Sequence, residues 1–254
     1  MLGILGDIRR EVDWQLKRLL SFSTSARARA ERDLADLVEG FTETQRARFA
    51  SLAISYGLTS WPLGDEDDEI QWNLSLLDVL DQHLDPGAGP GGGLDVGSRH
   101  WGYLSALASF RPGPWLGVEV DGNQRYFNGQ TRAHVARAHA AQVDSASYRV
   151  GCVTDVQGSF GLVTWFLPFV TEEPLICSGL PRRFYQPAVL LNHVWSLVAP
   201  GGALMVINQG AGEAEVQERL FGDAGIEARS LGRVQSVWPA YENERFGWLA
   251  IKGS

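Results

Sequence analysis

From residue 93 onward the chain alternates short apolar runs with helix-length amphipathic segments, and this rhythm leaves few folds open. Repeated strand–helix–strand alternation predicts a mostly parallel sheet with helices on both faces. The apolar runs mark strands at 93–96 and near 115–120, 148–153, 161–166 and 203–208. Between them, helices are expected near 101–110, 131–143, 187–198 and 213–224. Two further runs, 226–237 and 246–252, have no helix-length segment between them, so they are expected to pair antiparallel.

Residues 1–86 follow a helical period instead. Ile8, Val12, Leu16 and Leu19 recur at helix spacing, and an Arg- and Ala-rich stretch through Ala30 leads to Leu34 and Leu37. Thr42 and Gln45 have the spacing of a capping box, in which each side chain satisfies the other's backbone N–H. Phe49, Leu52, Ala53 and Tyr56 then share one face, with Gly57 as a stop. A last helix carries Ile70, Leu74, Leu77 and Leu84, with Asp65, Asp67 and Asp68 near its positive end and Pro86 beyond it. The Pro- and Gly-rich run 86–93 reads as a linker, so the chain divides into a helical region, 1–86, and an α/β region, 87–254.

Composition narrows the function. Hydrophobic residues make up 44% and charged residues 20% of the 254, an ordinary balance for a folded chain. The net charge of −8 argues against bulk nucleic-acid binding, which needs a basic face to displace counterions. Cys152 and Cys177 are too few and too widely spaced for a disulfide framework or a metal site. No apolar run approaches membrane-span length and no secretory leader is visible, so a cytoplasmic location is expected.

The chemistry concentrates where strands end. Leu94-Asp95-Val96-Gly97-Ser98-Arg99 places a carboxylate in the first strand and turns at Gly97 into a helix. Ligands of open α/β sheets sit at this carboxyl edge. Glu119, 22 residues after Gly97, ends the second strand, where an acid can accept from both hydroxyls of a ribose. A dinucleotide would want the full three-glycine turn for its pyrophosphate, and here Arg99 stands at the second glycine position.

Taken together, residues 91–252 resemble the class I S-adenosylmethionine-dependent methyltransferases. Asp95-Val96-Gly97 matches that family's first motif, Glu119 its ribose-holding acid, and Leu197-Val198-Ala199-Pro200-Gly201-Gly202 the turn into its fifth strand. The resemblance implies a Rossmann-like sheet of seven mostly parallel strands with an antiparallel last strand, and S-adenosylmethionine as cofactor. It implies cofactor contacts at Asp95, Gly97, Ser98, Arg99, Glu119, Val120, Asp155 and Trp165. Tyr185, in the loop after the fourth strand, and Asn208, ending the fifth, are the candidate substrate contacts. Arg99 has three readings: pairing with the cofactor's carboxylate, filling the pocket, or pointing away.

The acceptor signals are negative. Thr164-Trp165-Phe166-Leu167-Pro168-Phe169 keeps only the Pro-aromatic end of the motif found in amine-methylating relatives, and no Pro-Cys pair offers a cytosine nucleophile. His193, Tyr185 and Glu242 are candidate bases, His193 reading first as a locally bonded helix residue. Methyl transfer to a small molecule is the reading that follows, and a non-catalytic binding or regulatory relative is the alternative. For the helical region the readings are a lid, a substrate-selecting addition, or a homodimer surface.

Overall fold

In the computed structural model, residues 2–19, 31–62, 67–87, 89–238 and 242–253 are described. The amino-terminal region comprises α1 (Leu2–Leu19), β1 (Glu31–Asp33), a 3-10 turn at Ala35–Gly40, α2 (Glu43–Tyr56), β2 (Ser60–Pro62) and α3 (Asp67–His83). There follow β3 (Gly93–Val96), α4 (Leu104–Phe110), β4 (Trp115–Glu119), α5 (Arg132–Ala140), β5 (Ala146–Val150) and β6 (Phe160–Phe166). The chain ends with α6 (Glu172–Cys177), α7 (Pro187–Leu197), β7 (Val198–Gln209), α8 (Gly210–Asp223), β8 (Ala228–Arg233) and β9 (Arg245–Ile251).

The strands from β3 onward form one seven-stranded sheet in the order β5-β4-β3-β6-β7-β9-β8. All neighbours are parallel except β9, which runs antiparallel to both β7 and β8. The mostly parallel sheet and its antiparallel final pair are those expected from the rhythm of the sequence, and the seven-stranded Rossmann-like sheet is the one the resemblance implies. The strand order reverses beside β3, so the carboxyl ends of β3, β4 and β6 open onto a crevice.

Alternation along each strand sends side chains to two cores. On one face Trp115, Leu162, Met205 and Leu249 pack with α2, α3, α4 and α5. On the other, Leu94, Val96, Val163, Leu204 and Trp248 pack with α7 and α8. The α2 cap forms as its spacing predicts: Thr42 Oγ1 accepts from Gln45 N, and Gln45 Oε1 accepts from Thr42 N. Gly57 closes α2 in the left-handed conformation, with φ +62°.

Several elements differ from the sequence expectation. The helical reading of 1–86 is interrupted by the antiparallel pair β1–β2, and Leu34 sits buried between β1 and a 3-10 turn. The stretch through Ala30 lies outside the described residues at 20–30. The strand expected at 148–153 is shifted to Ala146–Val150, because 153–155 wind into a 3-10 turn. The strand expected at 226–237 stops at Arg233, after Gly232 at φ +66° breaks the register with β9. The fifth strand of the large sheet, β7, begins earlier than 203. Val198 already pairs with Phe160, and residues 199–202 bulge before pairing resumes at Ala203. Gly202 is required in that bulge: a Cβ there would lie 2.8 Å from Gly161 O.

Candidate active site

The turn after β3 is built from left-handed backbone. Gly97 has φ +73°, Arg99 +50° and Trp101 +58°. Only the first of these is a residue that adopts the conformation without cost. The turn is held to the next strand by Gly97 N and Ser98 N, which both donate to Val118 O at 2.8 and 3.2 Å. A Cβ at Gly97 would meet no atom within 4 Å, so this edge is open. Trp101 anchors the far end of the turn inside the core, beside Tyr148.

Glu119 ends β4 with 5% of its surface exposed. Its Oε2 accepts from Arg99 N at 2.9 Å and its Oε1 from Asp121 N at 2.7 Å. An ionised carboxylate has about four acceptor positions, so each oxygen retains one. Ser98 Oγ, fully buried in the same turn, finds no partner among the described residues. The Arg99 side chain is exposed. Its carbonyl accepts from the Tyr148 hydroxyl.

Asp95 turns inward. It is fully buried, with Oδ1 accepting from Thr164 Oγ1 at 2.7 Å and Oδ2 from Tyr103 OH at 2.8 Å. Burial outweighs these two donors and pushes its carboxyl up to about 7. Asp121, two residues past β4, is pushed up to about 6, again by burial, against the pull of Arg132 and Lys17. Arg132 Nη1 lies 3.2 Å and Lys17 Nζ 3.8 Å from its carboxylate.

Lys17 belongs to α1, which lies across this edge of the sheet. Trp14 is the buried residue among the described side chains of that helix and packs with Leu175, Leu180, Val120, Phe169 and Tyr185. Its ring is 5.1 Å from that of Phe184, and the Arg183 guanidinium lies 4.4 Å from its centroid. Arg183 also pairs with Glu11 at 2.9 Å, and Arg182 with Asp7 at 3.2 Å. The loop between β6 and α7 and the helix α1 therefore form one wall over the ends of β4 and β6.

The structure brings Gly97, Ser98, Arg99, Glu119 and Val120 together at this crevice. Asp155 lies apart from them in contact terms, exposed in the turn after β5. Trp165 is in the core layer, between Val96 and Val206 on the neighbouring strands. Tyr185 joins the small core under Trp14 and donates to Val170 O at 3.1 Å. Asn208 is fully buried, and neither atom of its amide has a partner among the described residues. His193 Nε2 is 3.1 Å from Val156 O, a local contact. Glu242 is exposed beside β9. Sequence reasoning missed Trp14, Lys17, Tyr103 and Thr164. Thr164 and Tyr103 carry no signal until the strand register sets them beside Asp95. Trp14 lies on the side of α1 away from its apolar stripe, where periodicity points to solvent.

The sequence matches no family model and no curated protein. Its fold does match solved structures. One is a chain of the Haloferax volcanii complex between a methyltransferase activator and a methyltransferase. There the TM-score is 0.51 at 14% identity, covering 74% of this chain and 92% of that one. Another is the magnesium protoporphyrin IX methyltransferase of Synechocystis PCC 6803 with bound S-adenosylmethionine. It covers 87% of this chain and 98% of that one, at 14% identity and a TM-score of 0.48. A Clostridium acetobutylicum S-adenosylmethionine-dependent methyltransferase matches with a TM-score of 0.48 at 9% identity, over 75% of this chain and 94% of that one. Strand order and likeness together give the Rossmann-like fold of the class I methyltransferases.

Proposed function

We propose that this protein is an S-adenosylmethionine-dependent methyltransferase acting on a small-molecule acceptor. The observation that carries the reading is the pairing of an open Gly97 turn with the buried Glu119 carboxylate at the strand-order reversal. Glu119 retains acceptor positions for two ribose hydroxyls, and the orphaned Ser98 Oγ supplies a hydroxyl in the same turn. Val120 would flank the adenine, and Asp155 would approach its amino group from the turn after β5. Asp95 supports the turn from beneath through Tyr103 and Thr164. The bound cofactor would supply a methyl group on a sulfonium, already activated for transfer.

The chain's own contribution is alignment and exclusion of water, worth up to roughly 7–11 kcal/mol in favourable cases. The wall formed by α1 and the loop after β6 serves as the lid, with Tyr185 and Asn208 orienting the acceptor. In this reading 1–86 is the covering region and 87–254 the cofactor-binding domain. The two free thiols suit a reducing, cytoplasmic setting. Among the described residues no helix is long and apolar enough to cross a membrane.

Calorimetric titration with S-adenosylmethionine and S-adenosylhomocysteine tests the site. Micromolar binding that Glu119→Ala weakens by about 1–3 kcal/mol is the expected result. A folded protein that binds neither compound overturns it. The second reading, a binding or regulatory relative without turnover, draws on the main-chain donors that Glu119 already holds. Binding without methyl transfer to any acceptor pool would select it.

A further inference from the structure

The outer face of α1 is an apolar stripe with nothing over it among the described residues. Leu5, Ile8, Val12, Leu16 and Leu19 are 64%, 56%, 50%, 47% and 79% exposed. Trp14, on the opposite side of the helix, holds α1 to the body of the protein. We propose that this stripe pairs with the same stripe of a second copy of this chain, antiparallel, about a two-fold axis at Val12.

The spacing of the stripe is self-complementary. Leu5 and Leu19 stand seven residues either side of Val12, and Ile8 and Leu16 stand four either side. Antiparallel pairing centred on Val12 therefore sets Leu5 against the partner's Leu19, Ile8 against the partner's Leu16, and Val12 against itself. Such an isologous contact closes and buries every member of the stripe.

The flanks are complementary too. Arg9 and Asp13 lie on one side of the stripe, 3.6 Å apart and 84% and 53% exposed. Glu11 and Gln15 lie on the other, joined at 2.9 Å. At a rise of about 1.5 Å per residue, the antiparallel arrangement brings Arg9 alongside the partner's Asp13 and Gln15 alongside the partner's Glu11. Both contacts join a donor to a carboxylate, and they offset the like pairs that the same register creates, Asp13 and Glu11 each lying about 3 Å along the axis from its own copy.

A membrane surface fits less well. An interfacial helix rims its apolar face with Lys and Arg to meet anionic lipid. Here acids share both flanks, and the remaining cations are engaged elsewhere, Arg10 by Asp7, Lys17 by Asp121 and Arg18 within 4.7 Å of the Trp14 ring centroid. The chain's net charge of −8 adds repulsion. Two such stripes bury on the order of 1,000 Å², the size at which specific interfaces begin, so a reversible dimer is expected.

Sedimentation equilibrium of the full chain across the micromolar range reads the association directly, independently of any activity. The expected weight-average mass rises towards twice that of the chain. Val12→Glu sets two carboxylates on the axis and returns the mass to that of one chain, with an unchanged far-ultraviolet circular dichroism spectrum. Register is tested in a chain carrying Cys152→Ala and Cys177→Ser. Val12→Cys should then crosslink to itself on mild oxidation. Leu5→Cys alone should not, because its copies lie about 21 Å apart along the axis. Leu5→Cys mixed with Leu19→Cys should crosslink again. A chain that stays monomeric throughout the range overturns the proposal. So does a dimer that survives Val12→Glu, or a monomer that floats with phosphatidylserine vesicles.

Discussion

Helices α1 and α3 carry the same kind of apolar periodicity and put it to opposite uses. In α3, Leu74, Leu77 and Leu80 are fully buried against α2, α4 and the sheet. In α1 the apolar stripe faces out, and the helix is held through Trp14 and a set of ion pairs on its other side. An amphipathic pattern states that a helix has a face to cover. Where the cover comes from depends on what else the chain brings near. For α3 it is the large sheet. For α1 the crevice wall takes the indole and leaves the stripe unpartnered.

The comparison can be broken by substitution. Leu77→Ala should lower the unfolding free energy by about 3 kcal/mol in urea titration, the cost of a cavity in a packed core. A loss under about 1 kcal/mol would mean that α3 lies outside the cooperative unit. Asp95, on the same packed side, gives a pH signature. Its carboxyl is raised to about 7 in the folded state, so its contribution is fully present below the unfolded value near 3.8 and is lost as pH rises through about 7. Asp95→Asn should flatten that fall in melting temperature, with a gain on the order of 2 kcal/mol at alkaline pH.

The docking of α1 should respond with the opposite sign. Glu11 is lowered by its hydrogen bond to Arg183, so the contact is present above the usual carboxylate range and is lost as pH falls through it. Trp14→Ala should speed amide exchange in residues 2–19 by roughly tenfold while the protection of α3 is unchanged. Equal effects on both helices would show that they unfold as one. Arg99→Gly should gain up to about 1 kcal/mol, because glycine relieves the left-handed backbone at φ +50°. The smallest effect belongs to the stripe itself: Leu16→Ser should change monomer stability by less than about 0.5 kcal/mol.

Much of the sheet was legible beforehand. The strand–helix alternation and the antiparallel final pair follow from local runs, and the turn through Pro200, Gly201 and Gly202 from a short motif, whereas the order of the strands across the sheet is set by tertiary packing. Errors fell where short segments bridge elements. The β1–β2 pair is three residues per strand and sits in a helical context, so no alternation announces it. At the crevice, Gly97 and Glu119 were visible because a turn residue and a strand-end acid follow fixed spacing. Asp121 stands two residues past Glu119, yet nothing local marks it as a buried carboxylate held between Arg132 and Lys17.

The sequence by itself determined the alternating architecture, the position of the open turn and the acid that faces it. These depend on period, on backbone conformation and on spacing along one chain. Only the tertiary structure decided that Asp95 turns into the core, that Arg99 takes a glycine's conformation while its side chain stays exposed, and that α1 docks by its indole. Each of those depends on which partner reaches a group first: Thr164 and Tyr103 for Asp95, Glu119 for the Arg99 amide, the loop after β6 for Trp14. Such partners are separated by 69 residues for Asp95 and Thr164, and 20 for Arg99 and Glu119, so burial and register must bring them together before their chemistry is set.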